Sequence, residues 1–221
     1  MNKRYNRQAV LLFLALGLLI VFRGSAAVGV RGPAGTEREI LTIPIAVYIM
    51  VSSQDTPALS SRRTVESMRR HFDQVNRIWS QADIVIEPVV VRHVEAPDYL
   101  LRGLSHRRGR GGLADFFKAI RSGVIDIGNI HKKGVMTSFY VRWLGGPNGL
   151  KPPGFNALLV ADNTTVNDAR VVSHEIGHNL GLFHAQYNTD LLLFSGSNGV
   201  KLTAEEQTVA RYHARRILFL W

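Results

Sequence analysis

Apolar residues recur at every second position from Leu41 to Val51: Leu41, Ile43, Ile45, Val47, Ile49 and Val51, with Thr42, Ala46 and Tyr48 between them. That period predicts a β-strand with one strongly apolar face. Ser52 to Ser60 reads as a loop around Pro57, and Ser60 or Ser61 is placed to cap a helix. Past it the period lengthens. Val65, Met68, Phe72, Val75 and Trp79 return at helical spacing, while Arg62, Arg63, Arg69, Arg70 and Arg77 are expected mostly to face water. Asp83 to Val91 predicts a second, largely buried strand, in which Pro88 marks a bulge or an edge. Strand, helix, strand in this order implies two parallel strands joined by a right-handed crossover.

Leu113 to Ile120 predicts a short helix, Phe139 to Trp143 a strand, Gly145 to Gly149 a turn-rich loop and Asn156 to Val160 a further strand. Thr203 and Glu206 have capping-box spacing and open a final helix whose apolar side is expected to carry Val209, His213, Ile217 and Leu220.

Between the last predicted strand and that helix lies His174-Glu-Ile-Gly-His178-Asn-Leu-Gly181-Leu-Phe-His184. On a helix, positions four apart share a face, so His174 and His178 aim two imidazoles at one point. Glu175, turned by about 100° from His174, points beside it, as suits a general base rather than a ligand. Val171, Val172, Ile176 and Leu180 supply an apolar stripe, and Asn167 or Asp168 can cap the start. Gly181 can take the left-handed backbone that ends helices, and the turn returns His184 as a third nitrogen. Three histidines leave one position of a tetrahedral zinc open, the pattern of a catalytic rather than a structural site. A bare histidine pair can be no more than a polar helix face; the extended spacing favours metal. His71, His93, His106, His131 and His213 stand outside it and read as surface or packing residues.

This stretch resembles the metzincin superfamily of zinc metallopeptidases, most of all bacterial, reprolysin-like members. The likeness is strong from about Val135 to Arg216, weaker from Ile40 to Val94, and absent before. It implies one catalytic zinc ion held by His174, His178 and His184, with Glu175 as general base. It implies an α+β or α/β fold: a twisted, mostly parallel sheet with helices in an N-terminal lobe (about 40–181), the active-site helix, and a small C-terminal lobe (about 182–221) ending in a helix. The family places a methionine turn beneath the zinc; here Leu193 stands at that position and Ser195 where some members carry a tyrosine ligand. Tyr187 has the wrong offset for that role. An antiparallel strand at the cleft rim pairs with substrate in the family, and both Phe139 to Trp143 and Asn156 to Val160 are candidates for it. The implied activity is hydrolysis of peptide bonds in a protein or peptide substrate. The same centre would permit hydrolysis of a non-peptide amide, and the alternative of another class is a catalytically inactive, zinc-containing envelope protein that binds peptides.

Composition sets the compartment. Lys3, Arg4 and Arg7 precede an uncharged apolar run from Ala9 to Phe22, followed by Arg23 and by Ser25-Ala26-Ala27. Residues 1–27 therefore read as a secretory signal or an uncleaved membrane anchor, 28–39 as a linker, and 40–221 as the catalytic domain. The expected address is outside the cytoplasm: secreted, periplasmic or anchored. There is no cysteine, which excludes disulfides, thiolate metal sites and a cysteine nucleophile. The net charge of +10 falls to +6 without the four basic residues of the leader. Arg102, His106, Arg107, Arg108 and Arg110 form the densest remaining cluster, without interleaved aromatics, so nucleic acid is not an expected partner. A solvated loop is the expected state of that cluster, and contact with anionic lipid headgroups its functional alternative.

Overall fold

The computed structural model describes residues 38–106, 110–128 and 134–219. The leader, most of the linker, Arg107, Arg108, His131 and Leu220 lie outside the described residues. Strand β1 (Leu41–Ser52) leads into helix α1 (Val65–Trp79), a short 3-10 turn at Ser80–Ala82 and strand β2 (Ile84–Ala96). Helices α2 (Asp98–Ser105) and α3 (Arg110–Arg121) follow, then strands β3 (Met136–Val141), β4 (Gly149–Leu150) and β5 (Ala157–Ala161), and helices α4 (Asp168–Asn179) and α5 (Ala204–Phe219). The sheet order is β2-β1-β3-β5-β4, with every pairing parallel except β4 against β5. The result is a mixed α/β fold on a five-stranded, mostly parallel sheet, as expected.

The strand from Leu41 has two apolar faces, not one. Ile43, Ile45, Val47 and Ile49 pack with Phe72 and Trp79 of α1, Val172 and Ile176 of α4, and Ala210 and Ala214 of α5. Ala46, Tyr48 and Met50 point the other way, among Leu100 and Leu104 of α2 and Phe116 and Phe117 of α3. Parallel strands between helical layers are buried on both sides, so their alternation is blurred. Each face then contributes burial worth roughly 1.5–3 kcal/mol per large side chain.

Several element boundaries differ from the sequence reading for local reasons. Thr64, not Ser60 or Ser61, caps α1: its hydroxyl accepts from the Ser67 N–H at 3.1 Å, and Ser67 answers the Thr64 N–H. Ser61 is occupied elsewhere, donating to Asp162 at 2.7 Å. Arg63 does not face water; its side chain is only 13% exposed between Asp162 and Asp168. Pro88 is both things its presence suggested, since β2 is an edge strand and its register against β1 shifts between Pro88 and Val90. Arg102 is on α2, where it pairs with Asp98 at 3.8 Å, rather than in a loop. The capping box of Thr203 and Glu206 is present, with reciprocal bonds of 2.9 and 3.1 Å. The helix it opens, however, buries Ala210, Ala214 and Ile217, leaving Val209 at the surface. Small residues let α5 approach the sheet closely, which the larger valine would prevent.

Candidate metal centre

Helix α4 is buried without a break from Ala169 to Gly177, which is why its sequence shows only a weak polar face. Asn167 caps it, accepting from the Arg170 N–H at 3.1 Å. It ends in a Schellman arrangement: Leu182 N–H bonds the Gly177 carbonyl at 2.9 Å, and Gly181 N–H bonds His178 O at 3.2 Å. Gly181 sits at φ +80°, and a Cβ there would come within 2.5 Å of the His213 ring on α5. Only glycine satisfies both the backbone angle and the contact. His213 therefore packs against the turn.

The turn brings three imidazoles together. His174 Nε2 lies 3.1 Å from His184 Nε2, and His178 Nε2 lies 3.2 Å from each of them. Among the described residues, these three form the group of side chains arranged to hold a metal ion. Other imidazoles among the described residues stand apart: His71 is buried beside Tyr140, while His93 and His106 are exposed on backbone carbonyls.

The residues fit a zinc ion on the chemistry of their second nitrogens. His174 Nδ1–H donates to the Leu192 carbonyl at 2.8 Å, and His178 Nδ1–H to the Leu182 carbonyl at 2.9 Å. A proton on Nδ1 leaves Nε2 as a bare lone pair. Burial, first of all, pushes His174 down to about 4 and also lowers His178, so both rings are neutral at pH 7. Lone pairs converging without a proton between them repel unless a cation sits among them. A tetrahedral ion about 2.0–2.1 Å from each nitrogen would set them about 3.3 Å apart, close to the observed triangle. His174 is buried and His184 exposed, so the centre opens to solvent on the His184 side.

Glu175 stands beside the triangle, 6% exposed. Burial pushes its carboxyl up to about 7, against the opposing pull of the Arg170 guanidinium and the Lys151 backbone. Gly149 of β4 lies directly over it: a Cβ there would be 2.8 Å from Glu175 Cγ and 2.9 Å from Oε1. The antiparallel strand at this edge of the sheet is β4, in the stretch read from sequence as a loop. Neither Phe139 to Trp143 nor Asn156 to Val160 supplies an antiparallel strand, because β3 and β5 run parallel to β1. Leu193 is fully buried, and its methyls would lie 3.2 and 3.4 Å from a Cβ on Gly177. It packs against Gly177 of α4.

Sequence reading missed three contributors: Gly149, the Leu192 carbonyl and Arg170. A glycine in a turn-rich run and a backbone oxygen carry no signal of their own. Arg170 did carry one, being a charged residue one turn before His174 on the face that bears the histidines.

No protein-family model and no curated protein matches the sequence. Solved structures do resemble the chain, three of them as follows. Metalloproteinase-II from Bacteroides fragilis shares 13% identity over 79% of this chain and 53% of its own, with a TM-score of 0.48. A chaperone–substrate complex shares 15% over 80% of this chain and 38% of its own, with a TM-score of 0.51. A zinc-dependent peptidase from Methanocorpusculum labreanum shares 13% over 77% of this chain and 99% of its own, with a TM-score of 0.42. The chain spans about half or less of the length of the first two. At 15% identity the likeness to the chaperone–substrate complex bears on the fold alone.

Proposed function

We propose that the chain is a zinc-dependent endopeptidase of metzincin type. The observation that carries this reading is the triangle of His174, His178 and His184 Nε2 atoms with Glu175 beside it on the same helix. His174, His178 and His184 would hold one zinc ion, which when bound supplies a Lewis acid that polarises the scissile carbonyl and acidifies water. Glu175 takes the proton of the attacking water and delivers it to the leaving amine. Its burial suits both halves of that task, since a carboxyl poised near neutrality accepts and releases a proton with similar ease. Gly149, lacking a side chain, leaves room for the Glu175 carboxylate beneath β4, and β4 offers a backbone edge along which an extended peptide can lie.

The test is digestion of a diverse peptide library with and without chelator, read by mass spectrometry. Chelator-sensitive cuts at internal bonds are expected. Glu175→Gln should retain one zinc per chain and lose most turnover, whereas His178→Ala should lose the metal. Zinc bound with no cut in any peptide would favour the peptide-binding alternative; cleavage by Glu175→Gln at the native rate would remove Glu175 as the base.

We also propose export, with residues 1–27 as signal or anchor, 40–181 and 182–221 as the two lobes of the catalytic domain, and exposed basic residues such as Arg102 as the contact with anionic lipid. The support is the basic leader and the apolar run behind it. Among the described residues no helix is long and apolar enough to cross a membrane. A fusion of residues 1–30 to a reporter active only outside the cytoplasm should give signal, and silence would refute the address.

A further inference from the structure

Arg170 is 4% exposed, yet no carboxylate lies within ion-pair distance of it among the described residues. Its guanidinium instead meets three backbone carbonyls of the segment after the third histidine. Nη2 donates to Leu192 O at 2.8 Å and to Phe194 O, and Nε donates to Gly199 O at 3.4 Å. A buried guanidinium cannot shed its charge, so such a position is costly unless its donors are satisfied. Here three carbonyls serve them, with the Glu175 carboxylate near enough to favour the charge.

The choice of carbonyls matters. Leu192 O is also the acceptor for His174 Nδ1–H, at 2.8 Å. One oxygen therefore receives both the arginine and the histidine, and α4 contributes both donors from positions four apart, one turn above the other. The segment so gripped includes Leu193, which packs under Gly177. An acceptor that can shift would let the His174 ring turn about its side-chain bonds and would lose control of which nitrogen carries the proton.

We propose that Arg170 is a positioning residue of the metal centre, a clamp that pins the Leu192 carbonyl so that His174 is held with Nε2 bare and aimed at the ion. It touches neither substrate nor metal. A planar fork with separate Nε and Nη donors spans several carbonyls at once; a lysine ammonium on the same backbone cannot. The inference rests on the three histidines being a metal site and is independent of what reaction that site performs.

The experiment measures zinc affinity by chelator competition, the visible spectrum of the cobalt-substituted protein, and amide exchange of the metal-free protein, on Arg170→Met and Arg170→Lys. Val75→Ala, in the core far along α1, serves as a variant of lowered stability that leaves the clamp intact. Arg170→Met should weaken zinc roughly 10- to 100-fold, the usual effect of losing a group that orients a ligand. It should change the cobalt spectrum and speed exchange across residues 191–199, while Val75→Ala leaves affinity and spectrum as in the parent. Arg170→Lys should rescue little. If Arg170→Met does not fold, Arg170→Lys decides alone: parent affinity and spectrum in it overturn the clamp, and weakened zinc with an altered spectrum supports it. Zinc affinity within twofold of the parent in a folded Arg170→Met overturns it as well. Retention of zinc by His178→Ala would overturn the metal reading itself, whereas loss of zinc there with no effect at Arg170 removes the clamp alone.

Discussion

Gly149 shows how much of the candidate site depends on an atom that is not there. Any side chain at this position meets Val171 Cγ1 at 2.8 Å and the Glu175 carboxylate at 2.9 Å, closer than real contacts allow. Gly149→Ala must push either the strand or the carboxylate aside. Since displacement of about 1 Å at a reacting group can cost on the order of 100-fold in rate, activity is expected to fall roughly 10- to 100-fold. The histidines are untouched, so zinc content should stay at one per chain. Elemental analysis alongside peptide turnover checks both halves; parallel loss of zinc and activity would mean that β4 supports the ligands and not the base.

At the scale of elements, the segment from Leu191 to Leu202 works as a plug under α4. Leu192 and Leu193 are both fully buried in it. Leucine and methionine have similar volumes, so Leu193→Met should cost less than about 1.5 kcal/mol and leave zinc and activity near the parent. Leu193→Ala should cost roughly 2–5 kcal/mol and loosen zinc binding. Denaturant unfolding and chelator competition on the two variants test this. If alanine is as harmless as methionine, Leu193 is not the floor of the site. How legible each element was follows from its length and its burial. Helix α4 with its histidine spacing could be read directly, because spacing on a helix is itself geometry. The two residues of β4 could not, since a strand that short has no period and Gly149-Leu150 sits in a run of turn formers. Helix α2 was hidden by the arginines after it, although Leu100, Leu101 and Leu104 form its buried side. For β3 the predicted start came three residues late, because Met136, Thr137 and Ser138 are buried without an alternating pattern to announce them.

For the whole molecule, His71 links stability to pH. Its ring lies between Phe72 and Tyr140, 8% exposed, with Nε2 unpartnered. Burial pushes it down to about 4, the nearby Arg63 guanidinium adds to this, and Asp168 opposes it. The unfolded chain titrates this ring near 6.5, so it binds the proton first. His71 therefore costs nothing above about pH 6.5, and stability drains away as the pH falls from there toward 4, by up to about 3 kcal/mol. His71→Phe removes that dependence. The difference between the two unfolding curves of chelator-treated protein, taken at pH 7 and pH 4.5, isolates the ring from other acid-sensitive groups. An identical pH dependence in both would show that His71 binds its proton as readily in the folded chain as in the unfolded one, and that burial does not hold the ring neutral.

The place of β1 between β2 and β3 also fixes an order of events in time. β1 reaches β2 through the neighbouring α1, but it must wait for β3 from much further along the chain, and α4 and α5 come later still. Short closures cost less entropy than long ones, so the β1–α1–β2 unit can form early. The oxygen that steadies His174 belongs to residue 192 and arrives with the last part of the chain to dock. A nascent chain therefore exposes its histidines before it can orient them, and capture of the ion belongs to the closing step of folding. Zinc should slow unfolding while leaving the refolding rate nearly unchanged, as for any contact absent from the folding transition state; a refolding rate that climbs with zinc would reverse this order.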